Sequence, residues 1–278
     1  MESIKMNFEI ISKLGISISG DITLPTLPIQ KGVCLFIHGL KGFKEWGPWN
    51  LVAKSFASKG LAFVKFDFSH NGVNEQGEFT KKDLFRKNTY SLELDDVKSV
   101  IDYLFSLQAL QKNDAINKLN IIGHSRGGGI GIINSETDSR VKKLATWASV
   151  NDFGYGWSEE LKEKWRVKGF REIVNTRTGD ILMQDVDLLL DYEQNISILD
   201  IKSAAKELDK PWILVHGTED EVVPFNQAIE LKAINKKIKL DLIPNGDHVF
   251  GSKHPFLNAS LPFDLGVVVD HTISFFLD

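Results

Sequence analysis

The chain has 278 residues, of which 25% are charged, a formal net charge of −4 and a single cysteine. That length suits one α/β domain with an insertion and allows a large buried core. Acidic and basic residues are interspersed rather than blocked, which argues against nucleic acid or an anionic membrane surface as the partner, and a lone cysteine excludes an intramolecular disulfide.

The start, Met1-Glu2-Ser3-Ile4-Lys5, lacks the basic-then-apolar pattern of a secretory signal, and no apolar run is long enough to span a bilayer. A cytoplasmic protein is the expectation. Residues 7–24 alternate, as in Ile16-Ser17-Ile18-Ser19 and Asp21-Ile22-Thr23-Leu24, with breaks at Gly15 and Gly20, and read as an antiparallel hairpin at a sheet edge. Pro25, Pro28 and Gly32 punctuate a loop before Val33-Cys34-Leu35-Phe36-Ile37, an unbroken apolar run of the kind a strand buried on both faces requires. Cys34 is therefore a core residue. The run ends in His38-Gly39-Leu40-Lys41-Gly42.

Asn50 to Lys59 has the spacing of a short amphipathic helix closed by Gly60, and Leu61 to Phe66 is the next strand. A polar loop follows to about Thr89, then a helix over residues 90–107 with Leu94, Val97, Val100, Ile101 and Leu104 on one face. Leu119 to Ile122 and Val141 to Val150 are strands on either side of a glycine-rich helix. Strand and helix alternate to this point, which predicts a mostly parallel twisted sheet with helices on both faces.

The rhythm breaks over residues 151–210. Ser158-Glu159-Glu160 opens a helix with Leu161 and Trp165 on one face, and Arg171 to Leu182 resembles a hairpin turned at Thr178-Gly179-Asp180. This segment is expected to be a small inserted cap on a core made of residues 1–150 and 211–278. Pro211 to Val215 restores the parallel pattern, Asn226 to Ile234 is a helix, Ile238 to Ile243 a last strand, and residues 265–276 a closing apolar helix.

Chemistry concentrates at the strand ends. Ile121-Ile122-Gly123-His124-Ser125-Arg126-Gly127 is a strand running through Gly-x-Ser-x-Gly into a helix, the nucleophile-elbow pattern, in which a strained serine projects above the sheet. His216-Gly217-Thr218-Glu219-Asp220 and Asp247-His248 follow later strands. Groups at the carboxyl ends of parallel strands converge, and the order serine, acid, histidine is that of a hydrolase triad on such a sheet. The His-Gly-x-x-Asp spacing selects Asp220 over Glu219 and Glu221, and His254, before a proline and farther from the strand end, is a poorer base than His248.

Together these motifs resemble the α/β-hydrolase fold serine hydrolases, in the branch of dienelactone-hydrolase-like and cinnamoyl- or feruloyl-esterase-like proteins with serine aminopeptidase-like relatives. The resemblance covers the chain outside residues 151–210. It implies a carboxylic ester hydrolase that forms an acyl-enzyme, with Ser125 as nucleophile, His248 as base and Asp220 as its orienting acid. The backbone N–H groups of Leu40 and Arg126 would form the oxyanion hole. The implied substrate is a small-molecule ester with a small-to-medium or hydroxycinnamoyl acyl group; aminopeptidase-like, thioesterase and ligand-binding relatives are the alternatives.

Dienelactone hydrolases proper carry a cysteine nucleophile, so Ser125 favours ester hydrolysis. Arg126, where esterase relatives often have an uncharged side chain, points to an ion pair at the pocket floor. Trp46, Trp157 and Trp165 are candidate walls for the acyl group, Lys41, Lys44 and Glu45 a solvated rim, and Glu159-Glu160 a candidate amine site. His38, His70, His124, His216 and His248 lie near one sheet edge, but no metal-ligand spacing is present and no metal or cofactor is expected. A cap can double as a dimer surface, which makes a homodimer a candidate state.

Overall fold

A computed structural model describes residues 3–26, 31–74, 76–112 and 114–278; Met1, Glu2 and Pro28 lie outside them. The strands are β1 (Ile4–Ile11), β2 (Ser17–Leu24), β3 (Val33–Ile37), β4 (Ala62–Phe66), β5 (Leu119–His124), β6 (Val141–Trp147), β7 (Phe170–Val174), β8 (Ile181–Asp185), β9 (Trp212–Gly217) and β10 (Lys239–Ile243). The helices are α1 (Trp49–Ser58), α2 (Lys82–Arg86), α3 (Tyr90–Ser106), α4 (Gln108–Lys112), α5 (Arg126–Thr137), α6 (Glu159–Lys168), α7 (Val186–Gln194), α8 (Ile196–Leu199), α9 (Ile201–Glu207), α10 (Asn226–Ile234) and α11 (Phe263–Leu277).

Eight strands form one sheet in the order β1-β2-β4-β3-β5-β6-β9-β10, and β7-β8 stand apart as a hairpin. β1, β2 and β4 pair antiparallel and the rest of the large sheet is parallel. Strand periodicity of two divides the core. In β3, Val33, Leu35 and Ile37 face a cluster with Val97 and Ile101 of α3 and Ile130 of α5, whereas Cys34 and Phe36 face Val52 and Phe56 of α1 and Val268 of α11. Burial on both faces is why the central strands are apolar throughout.

Four expectations change, the last at Glu45. Gly20 does not break the hairpin: it lies inside β2 opposite Phe8, and a Cβ there would come within 2.2 Å of the Phe8 ring, so glycine makes room for an aromatic side chain. The stretch after β4 is not simply polar, because Val73, Phe79 and Phe85 form a satellite core with Phe43 and Leu182 of β8. Three apolar residues without a period are too sparse to read as an element. Strand β6 stops at Trp147, where Ala148 turns to φ 47°.

Glu45 is not a solvated rim residue. Lys65 of β4 is fully buried, and its Nζ donates to Asp21 Oδ2 at 2.7 Å and to Glu45 Oε1 at 3.0 Å. A buried ammonium persists only where such partners replace water. In residues 151–210 the α6 helix and β7-β8 hairpin appear as predicted, with Ser158 capping α6 by accepting from the Leu161 N–H. The same segment also forms α7, α8 and α9, and Ile201 and Ala205 of α9 join the apolar cluster that covers α5.

Candidate active site

β5 ends at His124 and α5 begins at Arg126, so the chain reverses over Ser125 alone. Ser125 adopts φ 57°, ψ −124°, a conformation that costs a non-glycine residue about 1–3 kcal/mol. Three backbone bonds hold it there: its N–H donates to Trp147 O at 2.9 Å, and its carbonyl accepts from the Gly128 N–H at 2.9 Å and the Val150 N–H at 3.3 Å. The flanking glycines are required by close approach. A Cβ on Gly123 would lie 2.3 Å from Gly127 O, and one on Gly127 would lie 2.3 Å from Ile37 O.

The loops after β9 and β10 meet in the same way, since a Cβ on Gly217 would fall 2.1 Å from Gly246 O. That contact brings Asp220 and His248 together. His248 Nε2 is 3.0 Å from Ser125 Oγ, and His248 Nδ1 is 2.8 Å from Asp220 Oδ2. Asp220 Oδ1 accepts from the N–H groups of Val222 at 2.9 Å and Val223 at 2.8 Å. His216 Nε2 lies 2.8 Å from Val223 O and 3.2 Å from Asp220 Oδ2, so this nitrogen carries the proton and its N–H is shared between the two acceptors. Burial opposes the charge on Asp220, but the bonds from His216, His248 and Val223 outweigh it and hold the carboxyl well below the usual carboxylate range.

The proton inventory follows from the acceptors. A carboxylate at His248 Nδ1 makes that nitrogen the donor, which leaves Nε2 as a lone-pair acceptor facing the Ser125 hydroxyl. His124 Nε2 donates to the backbone carbonyl of His248 at 2.9 Å, and burial holds His124 down to about 3, so it is a neutral prop under His248. His38 Nδ1 donates to Gly39 O at 2.9 Å, and burial holds it down to about 4.

The main-chain path His38-Gly39-Leu40 runs against the serine: a Cβ on Gly39 would lie 2.8 Å from Ser125 Cβ. Leu40 and Arg126 both border the cavity above Ser125, and Arg126 is the first residue of α5, where N–H groups have no carbonyl of the preceding turn to bond. The Arg126 side chain turns under the cavity to Glu93 of α3, with Nη2 to Oε1 at 2.5 Å and both side chains largely buried. The expected ion pair at the floor is thus present.

The cavity measures about 540 Å³, within the range of small-molecule sites. Trp46 and Trp157 line it, but Trp165 does not. Trp165 is 1% exposed, donates through Nε1 to Gln184 O at 3.0 Å and packs edge-on behind Trp157, because the Leu161–Trp165 face of α6 turns inward. Glu159 and Glu160 do not line the cavity; both are exposed and pair with Lys162 and Lys164 of their own helix α6. His254 borders the cavity, with Nδ1 accepting from the Gly47 N–H at 2.9 Å, while His70 pairs with Ser69 Oγ at 2.7 Å. Among the described residues no cluster of three or more histidine, cysteine or acidic groups could hold a metal ion.

No protein-family model matches the chain, and no functionally curated protein resembles it in sequence. Solved structures do. Est1E from Butyrivibrio proteoclasticus with ferulic acid bound superposes with a TM-score of 0.70 at 20% identity, covering 97% of this chain and 98% of that one. Dienelactone hydrolase from Anabaena variabilis gives 0.63 at 15% identity over 100% and 98%. A puromycin-hydrolyzing peptidase from Mycobacterium tuberculosis gives 0.66 at 15% identity over 99% of this chain and 39% of that one.

This is an α/β-hydrolase fold. This α/β-hydrolase fold brings Ser125, Asp220 and His248, which the sequence pattern singled out, within hydrogen-bond distance of one another, but several cavity residues escaped that pattern. Tyr90 and Phe153 stack at 4.3 Å between ring centres, and Arg171 and Arg177 reach the cavity from β7 and the turn after it. Arg126 left a signal through its need for a counter-ion, and Trp46 and Trp157 through their place beside the predicted turns and cap. The others lie on elements whose facing side is set by packing.

Proposed function

We propose that the protein is a carboxylic ester hydrolase that works through Ser125, His248 and Asp220, with residues 151–210 as a cap over the site. The observation that carries this is the unbroken hydrogen-bond chain from Ser125 Oγ through His248 to Asp220 beside a cavity of small-molecule size. As Ser125 Oγ bonds to the acyl carbon, its proton passes to His248 Nε2 and the carbonyl π electrons move onto oxygen. Asp220 balances the imidazolium. The backbone N–H groups of Leu40 and Arg126 take the oxyanion, each such donor contributing about 2.7–4 kcal/mol to the transition state. The intermediate collapses, the bond to the alcohol oxygen breaks, and that oxygen receives the proton from His248. Water then repeats the sequence on the acyl-enzyme and frees Ser125.

Ester cleavage is favoured over exopeptidase action because a free amine needs a carboxylate in the cavity. Asp152, the acidic side chain at its wall, commits Oδ1 to the Tyr192 hydroxyl at 2.7 Å and the Gly154 N–H at 2.8 Å, and its single negative charge is outnumbered there by Lys41, Arg126, Arg171 and Arg177, which disfavour a further cation. Aromatic walls suit small-to-medium or hydroxycinnamoyl acyl groups, and the likeness to Est1E with ferulic acid bound points the same way. The test is a panel of acetyl, butyryl, octanoyl and feruloyl chromogenic esters with an aminoacyl anilide, for wild type and Ser125→Ala. Ester turnover that falls by roughly 10³- to 10⁶-fold in Ser125→Ala is expected. Cleavage of the anilide alone, or equal rates for the two proteins, would overturn the proposal.

A further inference from the structure

The cavity carries an unbalanced charge. Lys41, Arg126, Arg171 and Arg177 bring four cationic side chains to its wall against the carboxylate of Asp152, in a chain whose formal net charge is −4. Arg126 is neutralised by Glu93. Arg177 donates to Gly77 O at 3.0 Å and lies in the field of Asp180. Lys41 donates to Val174 O at 3.2 Å, and burial lowers its pKa.

Arg171 is held differently. Its Nε and Nη2 both donate to Oε1 of Gln184, at 2.9 and 2.6 Å, and its guanidinium lies over the rings of Trp165 at 4.3 Å and Trp157 at 4.8 Å. Gln184 is a neutral amide, itself 1% exposed. Among the described residues the ionisable groups that face Arg171 are the Arg126 cation and the Tyr90 phenol, whose own pKa burial pushes far up, and no carboxylate pairs with its guanidinium. Burial lowers the Arg171 pKa for that reason. A half-buried guanidinium clamped by two indoles and one amide keeps donors for a ligand in a fixed plane, and a carboxylate fits that plane with two parallel bonds.

We propose that Arg171 is the counter-ion for a carboxylate carried by the substrate, so that the cavity takes esters with a free carboxylate, such as half-esters of dicarboxylic acids, in preference to neutral esters. This rests on the ester hydrolase reading above. An approaching anion is also drawn by the excess of positive charge at the cavity wall.

The test compares matched substrates that differ by one methyl group. Mono-4-nitrophenyl adipate, pimelate and suberate are each set against their methyl esters, and 3-acetoxybenzoate against methyl 3-acetoxybenzoate, which puts the carboxylate on the alcohol side. In the wild type at least one acid is expected to exceed its methyl ester in kcat/KM by about 10- to 100-fold, the scale of a charged hydrogen-bonded pair. The acid-to-methyl-ester ratio should collapse towards one in Arg171→Gln. It should also collapse in Gln184→Glu, which keeps the guanidinium stack and supplies the carboxylate internally. Ratios at or below one for every wild-type pair, or a ratio unchanged in both variants, would overturn the inference while leaving ester hydrolysis standing. If no ester of either kind is cleaved, the hydrolase reading falls and takes this one with it.

Discussion

Ser125 and Arg171 line the same cavity, and the walls they stand on are held by different means. On the Ser125 side the constraints are in the backbone: a positive φ, glycines pressed against carbonyl oxygens, and an Asp220 carboxylate that accepts from two main-chain N–H groups. On the Arg171 side the constraints are in side chains: a guanidinium between indoles, an amide beneath it, and aromatic rings stacked from α3 and the loop after β6. Backbone geometry leaves little room for variation, so Ser125, Asp220 and His248 stay where the sheet edge puts them. Side-chain stacking can be rebuilt with other residues around the same space, which the backbone contacts on the Ser125 side do not allow.

The largest effect is expected where the backbone wall meets the chemistry. In Asp220→Asn the two main-chain N–H groups that now bond Oδ1 would keep the amide oxygen, turning the NH2 group towards His248 Nδ1. His248 would then hold its proton on Nε2 and offer Ser125 a donor instead of a base. A loss of about 10⁴-fold in kcat on a chromogenic ester, with KM little changed, is expected from the wrong tautomer. A loss below tenfold would mean that the carboxylate does not set it.

Next comes the charge that the two walls treat oppositely. Arg126 is answered by a buried carboxylate and Arg171 by an amide. Burial pushes the Glu93 carboxyl up while Arg126 pulls it back. Glu93→Gln leaves Arg126 unpaired beneath the cavity and should cost about 3–5 kcal/mol in urea unfolding. An unchanged midpoint would show that a guanidinium at the floor needs no partner, and would erase the distinction between the two arginines.

A smaller effect is carried by pH. His38 is held at about 4 by burial, against the hydrogen bond to Gly39 that favours its charged form, whereas an unfolded histidine titrates near 6.5. As pH falls from about 6.5 towards 4 the unfolded chain takes up a proton that the folded chain refuses, so stability is lost in that window. At pH 5 the loss is about 2 kcal/mol. His38→Gln should therefore lose less stability than wild type between pH 7.5 and pH 5, by that amount, in paired urea titrations. Parallel curves would contradict a neutral buried His38.

Read along the chain, the strands and long helices were legible because each carries its own periodicity and end signals. Thr89 caps α3 by accepting from the Leu92 N–H, and β3 is apolar at every position. The turn residues were legible too, since Gly123, Gly127 and Gly217 stand where no side chain fits and Ser125, Asp220 and His248 sit at fixed offsets from strand ends. Such features depend on a few neighbouring residues, and a local pattern can specify them. What only the tertiary structure decided is which side chains meet across long separations: Glu93 beneath Arg126, Gln184 beneath Arg171, Lys65 with Asp21 and Glu45, and Trp165 behind Trp157 instead of in the cavity. Those pairings depend on how elements far apart in the chain pack, α3 on α5, β2 on β4, and α6 with the β7-β8 hairpin, and packing is a sum over many weak contacts that no short stretch of sequence contains.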